Sequence, residues 1–473
     1  MKRISVLVAT AVLSIAQPSQ AQTVSGVSFV NGLALAGGAL DLSTGNNFDR
    51  RIGYFSDIYY DRARNEWWGL SDRGPGGGTL PYETRVQRFT LDVDTGTGAV
   101  SNFQVVQTLK FSDNGLAFNG LAPTTPSVLG LSLDPEGFVI NPVTGNLLVS
   151  DEYGPSLKEF DRSGNLVRSY ATPANLVPQV GSAVDYSAAP PLLTSGREPN
   201  RGLEALAISP DGRYAYAVLQ NGVVQDGWTA SGRGTYSRIV KYDTLTGQAV
   251  GQYAYKLESS GQGRGVSALV ALGNDKFMIL ERNNRGIGVG ATLASPDKNV
   301  FMIDLNGALD VTGVNLPATG AFVGAVTKGA KVIDLDANTL AALGNKSPEK
   351  WEGLAVGPQL ANGQYLVLAG SDNDYSVTQN GTGPQFDVYF RFTDADPSAA
   401  SIQCPAGQTV NCFLTANNAT AATLTLEYQL LPGVLHAYTA TVDGYVSAVP
   451  EPHAYLLMLS GLLAVGVAAK RRR

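Results

Sequence analysis

A chain of 473 residues with a formal charge of −6 and only two histidines can bury a large core but is ill equipped for several kinds of chemistry. Its acidity argues against nucleic acid, whose phosphates demand basic patches. The histidine count removes Ser-His-Asp hydrolases, histidine phosphatases and His-rich zinc sites. Glycine at 54 residues, charged residues at 16% and more tyrosine than phenylalanine predict β-structure with many tight turns.

In chain order, Lys2 and Arg3 precede an apolar run from Ile4 to Ala16, followed by Ser19 and Ala21. That is the pattern of a signal peptide over residues 1–21, cut by signal peptidase so that the mature chain begins near Gln22. A repeat follows. Phe55 to Tyr60 turns at Asp61–Asn65 and ends Leu70-Ser71-Asp72-Arg73. Glu136 to Ile140 turns at Pro142–Asn146 and ends Ser150-Asp151-Glu152. Glu204 to Ile208 turns at Pro210-Asp211-Gly212 and runs from Tyr214 to Gln220. Ser267 to Val270 turns at Gly273-Asn274-Asp275 and continues to Arg282, and Glu352 to Val356 turns near Asn362-Gly363 and closes at Asp372.

Each copy reads as a hairpin, with Gly, Asn and Asp turning between short apolar strands. Second hairpins are expected where Lys158–Phe160, Val240–Tyr242 and Phe301–Ile303 run into turns at Asp161, Asp243 and Asp304. Two hairpins per repeat make a four-stranded unit, and such units in series predict an all-β propeller over residues 22–397. Copies begin at 57, 136, 204, 267 and 352, a spacing that requires enlarged loops. Five blades are visible and the count is five or six, a sixth having only residues 90–130 or strands from both ends of the chain to draw on. Residues 398–449 read as a small β appendage, with a strand suggested by alternation over Thr423–Leu430. Cys404 and Cys412 are expected to pair in an oxidising compartment. Residues 450–473 hold Pro450-Glu451-Pro452, an apolar helix over 454–469 and Lys470-Arg471-Arg472-Arg473. The terminal cations would keep that end cytoplasmic. Losing both ends moves the net charge to −11, because Lys2, Arg3, Glu451, Lys470 and three arginines leave.

The repeat brings acids to matching strand ends. Glu136, Glu204 and Glu352 open first strands, while Asp72, Asp151, Glu152, Glu281 and Asp372 close second strands. In a propeller such ends converge on one mouth, and clustered carboxylates call for a hard cation. Calcium suits many oxygens in irregular geometry. These eight acids are the candidate metal ligands, and Glu136, Glu204 and Glu352 the candidate catalytic carboxylates. Arg73, Arg201, Arg282 and Lys350 lie beside them in sequence, as a clamp for an anionic substrate. The bland alternative is that each neighbouring acid and base simply neutralise each other.

Asp134-Pro135-Glu136-Gly137, Ser150-Asp151-Glu152-Tyr153-Gly154, Asn200-Arg201-Gly202-Leu203-Glu204-Ala205, Glu281-Arg282-Asn283, Lys350-Trp351-Glu352-Gly353 and Ser371-Asp372-Asn373-Asp374 resemble the signature blocks of the esterase-like phytase family. The resemblance spans roughly residues 30–392. It implies a calcium-dependent hydrolase of phosphoesters or related esters, with a non-catalytic matrix propeller binding extracellular polysaccharide as the alternative. The C-terminal segment resembles a PEP-CTERM sorting signal. That likeness implies cleavage by an exosortase, a transient membrane anchor, and residence in the envelope or extracellular matrix of a Gram-negative bacterium.

Overall fold

The computed structural model describes residues 22–229, 233–259, 261–379 and 384–446. The signal-peptide and sorting-tail readings therefore lie outside the described residues. Within them no helix is long and apolar enough to cross a membrane.

Strand β1 (Thr23–Leu35) is followed by a first sheet of β2 (Asp57–Asp61), β3 (Glu66–Leu70), β4 (Arg85–Val93) and β5 (Val100–Lys110). A small hairpin, β6 (Ser112–Asp113) with β7 (Leu116–Ala117), comes next. The second sheet holds β8 (Pro135–Ile140), β9 (Leu147–Asp151), β10 (Ser156–Phe160) and β11 (Leu166–Ser169). After the short pair β12 (Gln179–Val180) and β13 (Ala183–Val184), the third comprises β14 (Leu203–Ile208), β15 (Tyr214–Leu219), β16 (Tyr236–Asp243) and β17 (Gln248–Lys256). The fourth has β18 (Gly265–Gly273), β19 (Lys276–Arg282), β20 (Lys298–Asp304) and β21 (Thr327–Asp334). In the fifth, β22 (Trp351–Gln359) and β23 (Tyr365–Ser371) are completed from the two ends of the chain, by β30 (Gly433–Asp443) and then β1.

These five antiparallel four-stranded sheets are the blades of a β-propeller. The segment 90–130 supplies β5 and the small hairpin rather than a further blade, so strands from both ends finish the fifth blade instead of forming a sixth. First strands lie side by side in the order β2, β8, β14, β18, β22, and β22 also touches β2. Ile58, Val139, Leu206, Leu269 and Leu354, one from each, line a single axial cavity of about 60 Å³ together with Tyr445 and Val446. Glycine permits this close approach. A Cβ on Gly353 would stand 2.6 Å from Ile58 Cγ1, and one on Gly137 2.6 Å from Leu206 Cβ. Between blades the faces are apolar: Ala205, Val218 and Ile239 share one cluster with Leu269, Phe277 and Ile279. Each fully buried side chain of this kind contributes roughly 1.5–3 kcal/mol.

The described part of the expected appendage, residues 398–446, is divided between two sheets. The last strand, β30, belongs to the fifth blade, because its Leu435–Ala440 stretch pairs with β23. The rest joins a six-stranded sheet that begins earlier, with β24 (Val377–Gln379), β25 (Gln385–Phe390), β26 (Ile402–Pro405), β27 (Cys412–Leu414), β28 (Ala421–Ala422) and β29 (Gln429–Leu430). Between Ala422 and Gln429 the expected strand is absent. A disulfide joins Cys404 to Cys412 across the β26–β27 hairpin.

Candidate functional site

One irregularity recurs at the start of the first strands. The pairing register slips between Pro135 and Phe138, Leu203 and Ala205, Val266 and Ala268, and Trp351 and Gly353. A bulge of this kind breaks the ladder and re-aims a side chain. The residues in the slips include Glu136, Glu204, Ser267 and Glu352, and all four are buried. Opposite each, just past the paired part of the second strand or at its end, stand Glu152, Gln220, Arg282 and Asp372 in the same order. In the first blade Asp57 pairs with Leu70 as Gly353 does with Gly370, so Ser56 and Asp72 take the two equivalent places.

In the second blade this frame assembles a carboxylate triple. Asp134, Glu136 and Glu152 are all buried, and each offers an oxygen within 4.8 Å of the others. Arg73 Nη1 reaches across from the first blade, 2.5 Å from Asp134 Oδ2 and 3.9 Å from Glu152 Oε2. Asp134 Oδ1 and Glu152 Oε1 remain buried without a hydrogen-bond partner. Such oxygens are costly to leave unsatisfied. Burial pushes the Asp134 carboxyl up to about 6 against the pull of Arg73, and pushes Glu136 and Glu204 well above the usual range, with neighbouring carboxylates adding to the effect. Asp372 rises to about 7 and Asp72 to about 8 by burial, with Asp72 raised further by Asp372. Without a cation, several of these groups would hold protons near neutral pH. An oxygen-seeking cation would displace them.

Of the sequence-predicted ligands, the structure brings Glu136 and Glu152 into the triple. Electrostatic coupling links Glu136 to Glu204, Glu152 and Glu352, and Asp72 to Asp372. Asp151 and Glu281 are engaged elsewhere. Asp151 accepts from the backbone N–H groups of Asp134, Tyr153 and Gly154 and from Ser156 Oγ. Glu281 accepts from Tyr255 Oη and the Glu258 backbone and pairs with Arg264 and Lys328. Among the predicted cations, Arg282 Nη2 lies 2.5 Å from Glu352 Oε1, its Nη1 3.1 Å from Glu349, and its Nε donates to Ser267 Oγ. Burial works against its charge, but Glu352, Glu349 and Glu204 outweigh it. Lys350 is held at 2.6 Å by Asp372 and 2.8 Å by Asp374. Arg201 differs from both. Among the described residues it has no hydrogen bond or ion pair, its Nε is buried and unpartnered, and burial lowers its pKa although Glu152 and Glu204 lie near.

Sequence reasoning passed over four contributors: Asp134, Glu349, Asp374 and Arg197. Arg197 is 2% exposed, donates to the carbonyls of Tyr153 and Tyr186, and leaves Nη1 unpartnered. Asp134 stood in a quoted block, yet its equivalents in the other blades are Tyr54, Gly202, Gly265 and Lys350, so no repeat of residue type marked the position.

A model of the phytase-like family, described as esterase-like activity of phytase, matches residues 50–375. The chain belongs to that family. The matched stretch of this phytase-like chain includes every residue of the mouth named above. It is also similar to an uncharacterized secreted protein of Arthroderma benhamiae, at 25% identity over 68% of this chain and 80% of that one. Among solved structures it resembles Kuenenia stuttgartiensis hydrazine synthase (12% identity, 70% of this chain and 80% of that one, TM-score 0.30). A Bacteroides caccae protein of unknown function is comparable (11%, 63% and 64%, TM-score 0.26). At those scores neither structure bears on the reaction.

Proposed function

We propose that this phytase-like propeller is an exported hydrolase that uses a divalent cation, calcium by preference, to cleave phosphoesters or related esters of small molecules. The observation that carries the reading is the buried triple of Asp134, Glu136 and Glu152, whose oxygens converge within 4.8 Å and two of which have no partner. Three carboxylates in one place suit an oxygen-seeking ion, and these residues would hold it. When bound, the ion would supply Lewis-acid polarisation of an ester oxygen and a more acidic water. Arg201 supplies a cation with no hydrogen bond or ion pair among the described residues, suited to orient an anionic substrate group. Glu204 is the favoured proton-transfer group: Gln220 Nε2 donates to its Oε1 at 2.8 Å, orienting the carboxyl, while its Oε2 is left unpartnered.

Export is supported by the signal-peptide pattern in residues 1–21 and by the description of the fungal relative as secreted. The sorting-tail resemblance adds an exosortase as processing partner and the cell envelope as destination, and the intact mass of the envelope protein would read both cuts. The activity is tested by a panel of phosphomonoesters and carboxylic esters with calcium and with EGTA. Hydrolysis that requires calcium supports the proposal. A protein that binds calcium and cleaves nothing in the panel would instead be a binding propeller, with matrix polysaccharide the first ligand to examine.

A further inference from the structure

Buried arginines in this protein come with carboxylates. Among the described residues Arg51, Arg85, Arg238, Arg264 and Arg282 are buried, and each forms an ion pair. Arg197 departs from that pattern. It is 2% exposed and has no ion pair among the described residues; the acid beside it in the chain, Glu198, pairs with Arg233 at 3.0 Å instead. Backbone carbonyls hold the guanidinium in place. Its Nε and Nη2 donate to Tyr153 O at 3.2 and 2.6 Å, and Nη2 also donates to Tyr186 O at 2.9 Å. Carbonyls fix the plane of the group but do not neutralise it, and Nη1 is left unpartnered. A buried charge without a counter-ion is strongly unfavourable. The backbone that presents it is tightly built: Arg197 N donates to Leu176 O at 2.9 Å, and a Cβ on Gly196 would stand 2.2 Å from Val177 O.

Arg201 is a second guanidinium without an ion pair, and both border Glu152 of the triple. Tyr153, whose carbonyl holds Arg197, is the next residue in the chain. Gly202 packs so closely on Glu152 that a Cβ there would stand 2.1 Å from Glu152 O. Glu152 is the strongest opposing charge on each arginine, yet burial prevails and lowers the pKa of both. The triple therefore has a paired cation, Arg73, reaching from the first blade, and two unpaired ones from the segment that leads into the third. We propose that Arg197 and Arg201 form an oxyanion seat beside the triple that takes a tetrahedral dianion, Arg197 being the fixed, specificity-determining half and Arg201, only partly buried, the half open to the mouth. Two guanidinium forks suit a group with several charged oxygens better than a monoanion or a neutral carbonyl. That the seated group belongs to a substrate or product rests on the hydrolase reading above; the seat itself does not. A cation on Glu152 and an anion on its neighbouring arginines should each tighten the other.

The test is titration calorimetry of the whole protein with sodium sulfate, and with sodium nitrate as the monoanionic control, in EGTA and in calcium. Wild type should bind one sulfate, more tightly in calcium, and nitrate about tenfold more weakly or worse. Arg197→Lys, which keeps the charge and loses the fork, and Arg201→Ala should each weaken sulfate about tenfold or more. Melting on the same samples separates the seat from a purely structural role, which would lower stability and leave sulfate affinity untouched. Arg201→Ala, with no hydrogen bond or ion pair to lose among the described residues, carries the test should Arg197→Lys not fold. Sulfate that binds wild type in neither solution, that binds either variant as tightly as wild type, or that binds no better than nitrate overturns the proposal. Sulfate that binds wild type equally with and without calcium, in a protein that hydrolyses no ester, would refute the calcium-dependent function and leave the seat standing.

Discussion

Asp134→Asn isolates the electrostatics of the mouth, because asparagine has nearly the shape of a protonated aspartic acid and cannot ionise. In the folded protein, without bound cation, Asp134 titrates at about 6 instead of 3.8, with burial as the main cause. A carboxyl raised in this way favours the fold while protonated. Its contribution is complete below about pH 4 and is lost as pH climbs through about 6. One unit is worth about 1.4 kcal/mol, so the full effect is about 3 kcal/mol, of which wild type should lose about 2.4 kcal/mol relative to Asp134→Asn between pH 4 and pH 7.5. Any constant cost of weakening the Arg73 contact cancels in that difference. Urea unfolding of both proteins in EGTA at the two pH values measures it. In calcium at pH 7.5 that loss should be largely offset, because an ion at a hundredfold excess over its dissociation constant stabilises wild type by about 2.7 kcal/mol and the variant lacks one ligand. A difference in EGTA that does not change with pH would refute the raised carboxyl and the reasoning built on it.

Arg201→Ala should raise KM for an anionic ester about tenfold or more with calcium affinity unchanged, since the guanidinium has no hydrogen bond or ion pair to lose among the described residues and its Nε is unpartnered; steady-state kinetics beside calorimetry separates the two. Removing the disulfide with Cys404→Ser and Cys412→Ser should cost roughly 2–3 kcal/mol or less by the loop-entropy model, because the bridge spans only eight positions. That loss should appear as a lower unfolding midpoint with hydrolysis retained.

Much of the propeller was legible because each hairpin advertises its own turn. Asp161, Asp243 and Asp304 cap loops exactly where apolar strands stop, and β11, β17 and β21 follow them. The fifth blade was harder to read, since β1 and β30 come from opposite ends of the chain and only pairing across more than 400 residues defines it. The site was half legible for a related reason. Side chains in a strand alternate between faces, so a slip of one residue reverses which of two neighbours enters the mouth. The bulges lie in the first strands, at Glu136, Glu204, Ser267 and Glu352, and on the second strands the equivalent ring of positions holds Glu152 rather than Asp151 and Arg282 rather than Glu281. Asp134 and Lys350 could not be matched from residue type at all; the shared hydrogen bonds of their carbonyls to Glu152 and Asp372 reveal the match.

The central claim is that one cation in the mouth governs the chemistry, and the most direct measurement is a calcium titration followed by phosphomonoester hydrolysis and by melting temperature on the same samples. Both should rise with one half-saturation point and fall together on adding EGTA, and Glu136→Gln should shift both curves to higher calcium. Hydrolysis that persists unchanged in EGTA while melting also stays constant would contradict the account.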